Sequence, residues 1–117
     1  MRVRVVKTEQ DGGSIIWSLT MGREYEVIGI EADWYRIVDD RADPILFDPA
    51  CFDVVDPSLP SFWRCDVGDE GERYCYPVEW NKPGFFEAYH DGVAEVRERF
   101  WGDYRCLYHC DARRTSG

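Results

Sequence analysis

No run of apolar residues in this chain approaches the roughly 18 needed to cross a bilayer. The opening MRVRVVKTEQ has no apolar core behind its arginines, so neither insertion nor secretion is expected. The cysteines do not divide evenly into pairs. The count is five, odd and irregularly spaced, which argues against a secreted disulfide scaffold and for a reducing cytoplasmic setting. Positive charge is scarce, with 14 Lys and Arg against 23 Asp and Glu, a net charge of -9 and a pI near 4.6. Such a surface repels a phosphate backbone, so nucleic acid is a poor partner and a basic protein a better one. There is no Walker, dinucleotide-binding or HExxH motif, no repeat and no low-complexity tract. The Asp-rich stretch 39–48 lacks the ligand spacing and terminal glutamate of a calcium loop.

What is present suffices for one core. A chain of 117 residues fits a single domain, and 44% hydrophobic with 15% aromatic residues can offset the entropy of ordering it. Five tryptophans, Trp17, Trp34, Trp63, Trp80 and Trp101, are spread along it. Each offers a large apolar ring with one N–H, suited to a core or to a surface anchor. Residues 1–60 hold 6 Lys and Arg against 12 Asp and Glu, so the acidic excess lies mainly in the first half. The run VDPSLPS at 55–61 interrupts the apolar pattern and reads as an internal joint.

Residues 2–7 alternate basic and apolar side chains, the pattern of a strand with one buried face. Asp11, Gly12 and Gly13 supply a turn. Residues 24–30 read as one strand with Tyr25, Val27 and Gly29 on one face and Glu24, Glu26 and Ile28 on the other. Residues 34–38 form a strand between tight connections at 31–33 and 39–43. Residues 45–47 form a third, 48–52 a helical turn and 53–55 a closing strand.

This order, carried by LTMGREYEVIGIEADWYRIVDDRADPILFDPACFDVVD, resembles the SH3-like barrels of small bacterial proteins, including immunity-type members of toxin–immunity loci. The resemblance implies an SH3-like barrel over 1–56. Trp34, Pro49 and Phe52 fall at places comparable with the aromatics of the SH3 peptide groove, whereas the N-terminal tyrosine motif of that groove is absent.

The second half, 57–117, reads as a hairpin and helix extension of the same domain, so the fold class is α+β. Residues 62–67 and 72–77 flank Gly68-Asp69-Glu70-Gly71, and pairing symmetric about that turn puts Cys65 opposite Cys75, within reach of a disulfide. Phe85, Phe86 and Tyr89 suit a short helical turn. Asp91 reads as the N-cap of a second, amphipathic helix with Val93, Val96, Phe100, Tyr104 and Leu107 in its stripe and Glu95–Arg99 as an i,i+4 pair.

Candidate chemistry is sparse. Cys65, Cys75, Cys106, His109 and Cys110 are soft and imidazole ligands for zinc, but without the paired Cys-x2-Cys spacing of structural sites, so no metal and no cofactor are expected. His90 and His109 are the bases that a nucleophilic cysteine would require. Asp39, Asp40, Asp43 and Asp48 resemble an acid–base set, yet aspartate in turns more often bonds its own backbone. The remaining reading is protein binding without catalysis. Acidic loops beside rigid aromatics suit a Lys- and Arg-rich surface, with Trp34, Tyr35, Asp39, Asp40 and Asp43 as the expected contacts and a toxin as one basic partner. The expected function is that of an immunity or antitoxin-like protein. A small hydrolase using a Cys/His or carboxylate site and an acidic DNA mimic are the alternatives.

Overall fold

The computed structural model describes residues 1–10 and 13–109. The expected turn at 11–13 therefore lies largely outside the described residues, as does Cys110. Among the described residues there are eight strands: β1 (Arg2–Val5), β2 (Glu24–Glu26), β3 (Gly29–Glu31), β4 (Trp34–Val38), β5 (Pro44–Phe47), β6 (Phe52–Asp56), β7 (Trp63–Val67) and β8 (Arg73–Pro77). Two helices follow, α1 (Phe85–His90) and α2 (Ala94–Tyr108).

The strands make two antiparallel sheets, ordered β2-β1-β6 and β5-β4-β3-β8-β7. In β1, Val3 and Val5 are buried while Arg2 and Arg4 stay in water, the alternation expected of a strand with one wet face. Val3, Val5 and Tyr25 of the first sheet share one core with Ile30, Tyr35, Ile37, Phe47, Trp63 and Cys75 of the second. Asp48 caps the 3-10 turn Pro49–Cys51, its carboxylate accepting from the Ala50 N–H at 2.9 Å.

Both sheets are open, which corrects the expected SH3-like barrel and removes the family resemblance built on it. The physical reason lies at residues 27–28. Segment 24–30 is not one strand: Val27 and Ile28 are both fully buried instead of alternating. The Val27 N–H donates to the Met1 carbonyl, while the Ile28 N–H donates to the Arg36 carbonyl. The chain thus passes from one sheet to the other, and β3 then uses its second edge on β8, with Ile30 opposite Cys75 and Glu31 opposite Tyr74. The hairpin fills a place that a closing barrel strand would need.

The α+β composition stands. Two compact units are distinguished, Met1–Pro77 and Val78–Gly117, and the 57–61 stretch lies inside the first. In the second, Trp80 is 1% exposed and stands 4.7 Å from the Phe100 ring, with Phe86 at 6.1 Å and Tyr108 at 5.9 Å. Its indole N–H donates to Asp103. Asp91 closes α1 instead of opening α2, its N–H donating to the Glu87 carbonyl. Val93 is the N-cap of α2 and is exposed, and Arg99 pairs with Asp103.

Candidate protein-binding surface

Directly opposed residues of antiparallel strands point to the same face. Trp34 opposes Glu31, Glu31 opposes Tyr74, and Tyr74 opposes Asp66. These side chains form one row across β4, β3, β8 and β7, on the face away from the shared core. At about 4.8 Å per strand the row spans roughly 14 Å. Trp34 is 39% exposed and Tyr74 36%.

A buried polar network supports this row. Arg36, on the same face, is buried, yet its guanidinium donates to the Tyr76 hydroxyl at 3.0 Å, the Pro44 carbonyl at 3.0 Å and Glu31 at 3.1 Å. The Tyr76 hydroxyl donates in turn to Glu31 at 2.9 Å. A buried cation with three acceptors is satisfied, and this holds the Glu31 carboxylate in place between the two exposed aromatics. Burial first, and then the Glu31 charge, push the Tyr76 hydroxyl far above its ordinary pKa, so that it stays a donor.

The field over the row is acidic. The Tyr74 phenol is raised above its ordinary value, first by desolvation and then by Glu72, Glu31, Asp33 and Asp69. Asp33 bridges to the next strand, accepting from the Arg73 backbone N–H at 3.0 Å. Ala32 and Asp33 both have positive φ, 50° and 69°, the tight two-residue turn that sets the register of Trp34 against Glu31.

The expected contacts do not gather in one place. Trp34 joins the row. Tyr35 points the other way into the core and is 7% exposed. Asp39 is also buried, its carboxylate accepting from the Arg41 and Asp43 N–H groups at 3.0 and 2.9 Å, which makes it the internal brace of its own turn. Asp40 accepts from Thr20 at 2.7 Å, Tyr25 at 2.7 Å and Arg23 at 3.1 Å. Asp43 stands in the same turn, its carbonyl accepting from the Asp39 N–H. Across five residues of strand, Trp34 and Asp39 are about 16 Å apart.

Asp40 is instead the anchor of the loop before β2. Its N–H donates to the Ser18 carbonyl at 2.8 Å, and that loop carries Trp17, 82% exposed, and Met21. Tyr74, Glu31, Asp33 and Asp66 went unsingled in the sequence. The facing of Cys65 and Cys75 already implies that Tyr74 and Asp66 share the opposite face, but nothing local shows β8 beside β3.

Among the described residues no group of three His, Cys, Asp or Glu side chains is placed to hold a metal ion. Cys65 and Cys75 are joined as a disulfide, so neither is available as a thiolate ligand. Cys106 and His109 lie at the end of α2, both exposed. His90 ends α1 against the Tyr89 ring. A cleft of about 270 Å³ in the second unit, lined by Glu79, Lys82, Phe85, Glu95, Val96 and Arg99, mixes both signs of charge over an apolar floor. No protein-family model matches this chain, and neither a curated protein nor a solved structure does.

Proposed function

We propose that this chain is a non-catalytic protein-binding module which covers a basic surface of a protein partner with its outward sheet face. The observation that carries the reading is the row itself. Trp34 and Tyr74 flank Glu31 in the open, and the Tyr74 phenol lies in the field of Glu72, Glu31, Asp33 and Asp69. Exposed aromatic rings set among carboxylates attract guanidinium and ammonium groups in two ways at once, through the ring face and through charge. Glu31 is held by Arg36 and Tyr76, so little ordering is needed on binding. The net charge of -9 supports fast encounter with a basic partner.

Affinity capture from the native host tests this, with the wild-type chain beside Trp34→Ala and Tyr74→Ala. The expected result is a basic protein retained by the wild type and lost with either variant. Dissociation should quicken by an amount worth about 2 kcal/mol, and association should slow as salt rises. A retained partner indifferent to both substitutions, or one that is itself acidic, would overturn the reading.

A further inference from the structure

We propose that two copies of this chain pair through their β7 strands, antiparallel about Cys65, to form one continuous sheet. β7 is the last strand of its sheet, and Arg64, Cys65, Asp66 and Val67 are all exposed, Val67 to 72%. The direction of its backbone groups follows from the ladder. The Gly68 N–H donates to the Glu72 carbonyl at 2.8 Å just beyond the strand ends. Hydrogen-bonded pairs alternate with non-bonded ones in an antiparallel ladder. Asp66 opposite Tyr74 and Arg64 opposite Tyr76 are therefore bonded pairs, whereas Cys65 opposite Cys75 and Val67 opposite Arg73 are not. The N–H and C=O of Cys65 and Val67 point outward, away from β8, as a template for another strand.

The side chains select a second copy of this same strand. A twofold axis at Cys65 sets Cys65 against its own counterpart, with both outward groups exchanged as a bonded pair. It also sets Arg64 of each copy against Asp66 of the other. Arg64 and Asp66 share the outward face with Tyr74, so the two opposite-charge pairs form side by side across the new ladder. The two are one contact repeated by the symmetry. The disulfide to Cys75 lies on the inner face and leaves the edge clear.

The other edges do not offer this. β2, centred on Tyr25, would bring Glu24 against Glu26. β6 carries Asp53 and Asp56 and no basic residue of its own to pair with them in a second copy. β5 begins with Pro44, which has no N–H to give. The overall charge of -9 opposes association in general, so the contact rests on the local pairing.

Sedimentation equilibrium of the purified chain at physiological salt, over a wide concentration range, reads the outcome. The wild type should show a reversible dimer that persists on reduction. Asp66→Arg, which sets its guanidinium against that of Arg64 in both symmetric pairs, should weaken self-association roughly tenfold or more. The charge swap Arg64→Asp with Asp66→Arg should restore it. Hydrogen exchange gives a second reading, with the Cys65 and Val67 amides slowing as concentration rises. A chain that stays monomeric at millimolar concentration would overturn the proposal, as would a dimer indifferent to Asp66→Arg, one not restored by the swap, or one abolished by reductant.

Discussion

The ring of Tyr76 lies directly over the backbone of Gly29, so close that a Cβ at that position would overlap the ring. Gly29 opposes Arg36 on the neighbouring strand, and it is the missing side chain that lets the Tyr76 hydroxyl reach both Arg36 and Glu31. Gly29→Ala should push the ring aside and leave the buried guanidinium short of a partner, costing about 1–3 kcal/mol. Urea denaturation checks this. Tyr76→Phe, which keeps the ring and removes the hydroxyl, should lose about 1–3 kcal/mol through the hydrogen bonds alone. A Gly29→Ala chain as stable as the wild type would show that the ring has room to move.

The tryptophans divide sharply. Trp80 is 1% exposed and packed by aromatic rings, whereas Trp17 is 82% exposed. Trp80→Ala should therefore destabilise the chain by roughly 3–5 kcal/mol. Trp17→Ala should change stability by no more than about 0.5 kcal/mol. Thermal melts separate the two, and iodide quenching of fluorescence should fall mainly on Trp17. A large melting shift for Trp17→Ala would contradict its exposed position.

Asp40 and Tyr25 bound the pH range from opposite ends. Burial works against the Asp40 charge, but hydrogen bonds from Thr20 and Tyr25 and the Arg23 cation outweigh it, holding the carboxyl below its ordinary 3.8. Its folded value is depressed, so its stabilisation is complete above the ordinary carboxylate range and is lost as pH falls from there through the lower folded value. Tyr25 is raised above 10.0, first by burial and then by its bond to Asp40, so its stabilisation is full below 10.0 and disappears as pH rises through the elevated folded value. Melting curves against pH should show a shallower acid limb for Asp40→Asn and a shallower alkaline limb for Tyr25→Phe. Limbs parallel to the wild type in both variants would remove these two groups as the cause.

Cys65 and Cys75 are directly opposed in the ladder and only 10 residues apart in sequence. A loop this short restricts the unfolded chain modestly, and the chain-entropy account gives at most roughly 3 kcal/mol. Reduction should lower the urea midpoint and leave the folded chain intact, since β8 is also held by β3. Circular dichroism with and without reductant, alongside thiol counting by mass, reads this directly. Unfolding at room temperature on reduction alone would mean that the ladder does not hold β7 and β8 unaided.

Much of the local structure was legible in residue order. Alternation exposed β1, the turn residues exposed the hairpin and its Cys65–Cys75 facing, and Asp48 before Pro49 marked its short turn. The barrel expectation fails because the 24–30 run looks continuous in sequence: apolar Val27 and Ile28 fit a strand of either parity, and only contacts made elsewhere show both buried at a crossing between sheets. Asp39 shows the same limit on the functional side. In sequence it is one carboxylate among several in an acidic turn. In the fold it is buried and braces the backbone, its carboxylate accepting from two N–H groups of the turn.

Residue order by itself determined the elements, the acidic balance and the aromatic wealth, since turn chemistry, side-chain period and charge act over a few neighbours. Tertiary structure decided where those elements meet. The row of Trp34, Glu31, Tyr74 and Asp66 draws on four strands, and it exists only because β3 pairs with β8, far along the chain. That pairing follows from burial of the shared core and from the Arg36, Tyr76 and Glu31 network, both collective properties that no local pattern contains.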